Sequence, residues 1–125
     1  AQTKRMVAAM RHPAVRAIAH PTGRRIGLRA GIDVDFERIL AAAEETGTAL
    51  EVNCHLDRLD LPSEVLRAGR GRAVTWLIDT DAHDTQELAN TAWGVRHARR
   101  GWVDPAQVAN TWPREQFLAW VAGGR

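Results

Sequence analysis

Three short apolar runs, Val15–Ala19, Ala49–Asn53 and Val74–Asp79, each end abruptly in polar residues. Segments with apolar residues at helical spacing lie between them. Phe36, Ile39, Leu40 and Ala43 fall at i, i+3, i+4 and i+7, which predicts a helix from Asp35 to Thr46 closed by Gly47. Pro62 opens a short helix carrying Val65 and Leu66, ended by Gly69 and Gly71. After the third run, Asp84 and Glu87 form a capping-box pattern ahead of a stripe of Leu88, Ala92 and Val95, with Gly101 as the stop. Such alternation predicts an α/β fold with parallel strands and right-handed crossovers. Asp104-Pro105 and Pro113 start two further helical segments, the last carrying Phe117, Leu118 and Val121.

At 125 residues the chain makes one domain or a piece of a larger one. Residues Ala1–Met10 read as a helix entered partway, with Met6, Val7 and Met10 on one face, so an excised fragment is the expectation. A net charge of +2 does not by itself argue for nucleic acid. Arginine nevertheless clusters, as Arg24, Arg25 and Arg29, as Arg67, Arg70 and Arg72, and as Arg96, Arg99 and Arg100. The lone Cys54 excludes an internal disulfide and a multi-cysteine zinc site, and it suits a reducing cytoplasm. No segment approaches the roughly 20 apolar residues of a membrane span, and the first residues lack a signal-peptide core.

In parallel α/β folds, function gathers at the carboxyl ends of strands. The residues just beyond the three runs are His20, then Asn53-Cys54-His55, then Asp81 and His83. Core packing gives no reason for metal-competent side chains at all three places. Asp81 and His83 share a face if the chain stays extended. With His20 they make two imidazoles and one carboxylate, a set suited to Zn²⁺, Mn²⁺ or Fe²⁺. A role as helix caps is the duller reading, but Asp84 already fills it. His55 reads as part of a surface turn, His12 as exposed and His97 as lying on a solvated helix face. Glu51 reads as a buried partner for an arginine or as facing the helix layer. The five tryptophans read mostly as core and helix-packing residues, with base stacking the minor alternative.

His20-Pro21-Thr22-Gly23-Arg24, Leu50-Glu51-Val52-Asn53, Arg58-Leu59-Asp60-Leu61 and Asp79-Thr80-Asp81-Ala82-His83 follow one another in an order that resembles the closing part of a PHP domain. The resemblance is to the type appended to bacterial and archaeal family X DNA polymerases. Gly94–Trp102 and Val108–Thr111 extend it across nearly the whole chain. It implies that residues 1–125 are the C-terminal portion of a distorted (β/α)7 barrel. The first half of the barrel and a polymerase core would lie upstream.

The same resemblance implies up to nine ligands around a three-metal cluster, with Mn²⁺ the first expectation and Zn²⁺ the second. His20 matches the third metal motif, and Asp81 and His83 match the fourth. Those three are the candidate catalytic and metal-binding residues. Arg24 and Arg58 are the candidates for phosphate contact, since guanidinium pairs with phosphate through a fixed fork. The implied activity is 3′–5′ exonuclease or related phosphoesterase action on DNA ends in the cytoplasm.

The sequence departs from the family pattern in two respects. The first motif, His-x-His, is absent, and Asn53-Cys54-His55-Leu56 stands where many relatives read Asn-Ala-x-Pro. The chain alone is therefore expected to be inactive, with open strand edges that dimerisation or the N-terminal helix would cover. The rival readings are a non-catalytic DNA-docking module and a free-standing PHP phosphatase.

Overall fold

Asp35 and Gly47 bound the best-defined helix of the computed structural model, which describes residues 1–123. The Asp35 carboxylate accepts from the Arg38 N–H, and Gly47 turns left-handed at φ 66°, so both ends of helix α2 (Phe36–Thr46) are closed by their own sequence. Before it come α1 (Gln2–Met10) and strand β1 (Ala17–Ile18). After it come β2 (Ala49–Asn53), α3 (Ser63–Ala68), β3 (Trp76–Asp79), α4 (Thr91–Arg100) and α5 (Arg114–Val121). Short 3-10 turns occupy Glu87–Asn90, Pro105–Gln107 and Ala109–Thr111.

The strands form one parallel sheet in the order β1-β2-β3, with β2 central. Ile18 pairs with Leu50 and Leu50 with Trp76, while Val52 pairs with Ile78, so these five side chains share a face. That face packs against Ile39, Leu40 and Ala43 of α2, Val65 and Leu66 of α3, and Ala98 of α4. The opposite face changes character along its length. At the amino ends of the strands, Ala17, Ala49 and Leu77 lie under Trp112, Phe117 and Trp120. Toward the carboxyl ends Glu51 stands beside Leu77, and the next pair on this face is Asn53 with Asp79. Apolar covering thus stops where polar chemistry begins.

Two strands are shorter than their apolar runs. β1 keeps only Ala17 and Ile18, because the His20 N–H turns to the Glu51 carboxylate instead of a backbone carbonyl. β3 begins at Trp76 rather than Val74, although the Thr75 carbonyl still accepts from the Leu50 N–H at 3.0 Å.

The expected stripe of α4 is not its buried side. Leu88 and Val95 are exposed, and Gly94 and Ala98 carry the contact. A Cβ at position 94 would lie 2.0 Å from the Cys54 Sγ, so only glycine allows α4 this close to the sheet. The closing helix differs in the same way: Trp120 is its buried residue, whereas Leu118 and Val121 face outward. Met6, Val7 and Met10 do form one packed face, with Met10 fully buried. No helix among the described residues is long and apolar enough to cross a membrane.

Candidate active site at the strand ends

Beyond β1 and β3 the backbone enters the left-handed region at non-glycine residues, with φ 28° at His20 and 52° at Asp81. L residues adopt such angles at a cost, which the surrounding contacts must offset, and they concentrate at functional positions. The β1 end is held by Asp60, whose buried carboxylate accepts from Thr22 N at 3.0 Å, Thr22 Oγ1 at 2.9 Å and Gly23 N at 2.9 Å. Arg24 binds the same two loops together, donating from Nε to the Arg58 carbonyl at 2.7 Å and from Nη2 to the Leu59 carbonyl. Two of its three guanidinium nitrogens are taken up by backbone carbonyls in this arrangement.

A side-chain relay joins the three strand ends. The Glu51 Oε2 accepts from the His20 N–H and, at 3.3 Å, from Asn53 Nδ2. The same amide lies 3.2 Å from Asp81 Oδ2. Among the described residues Glu51 has no arginine partner, and it lies on the sheet face away from α2, α3 and α4, so neither sequence expectation for it is met there. Burial and the adjacent Asp79 carboxyl push its pKa up to about 8. The surroundings of Glu51 thus favour its protonated form.

Asp81 and His83 line one cavity of about 260 Å³ with Arg25, His55, Arg58 and Glu87. They come together through a turn, not through extended alternation, because β3 stops at Asp79. Asp81 Oδ2 lies 3.3 Å from Arg58 Nε. His83 Nδ1 is 2.6 Å from the Asp81 carbonyl, which can only accept, so Nδ1 is the donor and, in the neutral ring, Nε2 is the nitrogen that offers a lone pair. Glu87 spans the cavity wall, accepting from the His83 N–H at 2.7 Å and meeting His55 Nε2 at 3.3 Å. His20 is half-buried at the β1 end and does not line this cavity. Among the described residues, no three His, Cys, Asp or Glu side chains converge closely enough to hold a metal ion.

Sequence reasoning passed over Asn53, His55, Glu87 and Arg25 as site residues. Asn53 and His55 follow β2 at the position the strand-end rule singles out, so that signal was present. Glu87 looked like a capping residue, and Asp84 does accept from Glu87 N at 3.0 Å. The Glu87 carboxylate instead reaches back to His83. His97, expected in solvent, is half-buried, with Nε2 2.7 Å from the Leu61 carbonyl.

No family model matches the chain. The chain is 43% identical over 107 residues to the DNA polymerase/3′–5′ exonuclease PolX of Bacillus subtilis (strain 168). The chain is similar to part of PolX. The match takes in 86% of the chain and only 19% of the relative, so the chain spans about a fifth of PolX. A stretch of 107 residues in a chain of 125 necessarily includes residues 19 to 107. His20, Asp60, Asp81 and His83 therefore all lie within the part that resembles PolX.

Proposed function

We propose that the chain is the C-terminal part of a PHP-type phosphoesterase domain in a family X DNA polymerase, and that this domain hydrolyses phosphodiester bonds at DNA 3′ ends in the cytoplasm. The observation that carries the reading is the shared cavity of Asp81, His83 and Arg58, within a segment related to a protein named both polymerase and 3′–5′ exonuclease.

The donor chemistry fits a divalent metal on one side. Asp81 Oδ1 and the His20 ring make no hydrogen bond among the described residues, and in the neutral His83 ring Nε2 is the nitrogen turned away from the Asp81 carbonyl contact. Asp81 and His83 would supply ligands from the cavity and His20 one from the β1 end, and the remaining ligands would come from outside the described residues. Mn²⁺, with Zn²⁺ as the alternative, would lower the pKa of water and offset charge on the phosphoryl oxygens. The chain's own part is positional. Arg58 and Arg25 supply positive charge to the cavity, and Glu87 orients His83 and His55. Asn53 fixes the Asp81 carboxylate.

A non-catalytic docking role is the second reading, favoured by the lack of a converged three-residue ligand set among the described residues. The deciding experiment gives the full-length protein Mn²⁺ and a 3′-recessed DNA. Under the proposal, Asp81→Ala and His83→Ala each lose at least a hundredfold in digestion while primer extension stays intact. Undiminished digestion by both variants would refute it. The 125-residue chain alone is expected to show negligible turnover.

A further inference from the structure

The arginine clusters divide sharply once their partners are known. Arg24 and Arg29 donate to backbone carbonyls, Arg25 pairs with Asp57 and Arg72 pairs with Glu37 and Glu44. Arg67, Arg70, Arg96 and Arg100 form no ion pair among the described residues. All four belong to α3, α4 or the turn after α3. These elements pack closely, since a Cβ at Gly101 would lie 2.4 Å from the Leu66 Cβ.

Two indoles are interleaved with these cations. The Arg96 guanidinium lies 4.9 Å from the Trp93 ring centre, and those of Arg67 and Arg70 lie 5.3 and 5.7 Å from that of Trp102. Trp93, Arg96 and Arg100 fall on one side of α4 at helical spacing. Trp102 is 59% exposed and is turned outward by a left-handed φ of 58°, a strained choice for a bulky residue. The Arg67 Nε is buried without a hydrogen-bond partner. A groove of about 980 Å³ runs beside Trp102, with Arg70 and Arg72 on its wall. Glu64, the acid at the start of α3, is held below its ordinary pKa by its own backbone N–H and then by Arg67, Arg24 and Arg100.

We propose that the outer surface of α3 and α4 is a binding site for single-stranded nucleic acid, separate from the strand-end cavity and independent of metal. Trp93 and Trp102 stack on unpaired bases, and Arg67, Arg70, Arg96 and Arg100 meet the phosphates. Cations outside ion pairs attract any polyanion, although Glu64 offsets part of the charge of Arg67 and Arg100. Exposed indoles braced by guanidinium add what a single strand offers and a duplex hides, the faces of its bases. The site stands whether or not the strand-end cavity is catalytic.

The test uses the full-length protein in EDTA, with anisotropy of a fluorescein-labelled dT oligomer read across a salt series. Trp102→Ala should weaken binding about tenfold, and Trp102→Phe should keep most of it. The double change Arg70→Ala, Arg100→Ala should weaken binding and flatten the log–log salt slope by about 1.4, because two phosphates are no longer neutralised. Mn²⁺-dependent hydrolysis of a small phosphodiester should be unchanged in all three. Unaltered affinity and slope in these variants, or loss of oligomer binding on chelation alone, would overturn the assignment. So would a duplex whose affinity falls as much as that of the single strand in these variants. Failure of the hydrolysis itself bears only on the strand-end proposal, because binding is read without metal.

Discussion

Arg58 Nε lies 3.3 Å from Asp81 Oδ2, so the arginine expected to meet phosphate is paired with the carboxylate expected to meet metal. Both side chains are about three-quarters buried, with 22% and 24% of their surface exposed. The guanidinium holds one carboxylate oxygen and leaves Oδ1 open.

Removing that guanidinium should separate metal binding from turnover. Arg58→Ala is expected to bind Mn²⁺ more tightly, because Asp81 loses a competing cation, and to hydrolyse DNA 3′ ends about a hundredfold more slowly. Calorimetric titration and single-turnover digestion measure the two effects. Weaker Mn²⁺ binding in the variant would contradict the arrangement.

Asp60 is the anchor of the β1 end. Asp60→Ala leaves two backbone N–H groups and the Thr22 hydroxyl without an acceptor, a loss of about 3–5 kcal/mol. Asp60→Asn keeps an acceptor oxygen and should lose about 1 kcal/mol. Urea denaturation of both variants gives the ranking, and equal losses would count against the anchor.

Gly94 and Cys54 should behave as a coupled pair. A methyl at 94 meets the Cys54 Sγ at 2.0 Å, with the Ile78 Cγ2 next at 3.0 Å. Gly94→Ala is expected to destabilise by about 1–3 kcal/mol, and Cys54→Ala in the same chain should recover part of that loss. A double-mutant cycle by thermal or chemical denaturation measures the coupling. Additive effects would place the strain elsewhere.

Glu51 sets a pH window. Its folded pKa of about 8 stands above the ordinary 4.5, so the fold favours the protonated carboxyl. The resulting stability is complete below pH 4.5, declines as pH rises to about 8 and is flat beyond. Melting temperatures in metal-free buffer should therefore fall from pH 5 to pH 8, and Glu51→Gln should remove that fall. An unchanged slope in the variant would locate the titration elsewhere.

The sequence revealed β2 and α2 to the residue or nearly so, because Asp35, Gly47 and the apolar spacing act locally. α4 misled for a physical reason. Its contact with the sheet is made by Gly94 and Ala98, which register weakly in any pattern of large apolar side chains, while Leu88 and Val95 lie outside. Asp81 and His83 were legible as strand-end residues. What joins them to Arg58, His55 and Glu87 was not, since those pairings span loops whose turns no periodicity records. Trp93 and Trp102 show the same limit: composition counts tryptophans without saying which ones the chain turns outward.

The relay from His20 through Glu51 and Asn53 to Asp81 makes the three strand ends one connected rim instead of three independent fingers. The outline that a newcomer meets there is decided when the sheet assembles, so the entropic cost of shaping it falls on folding and little remains to be met at the moment of capture.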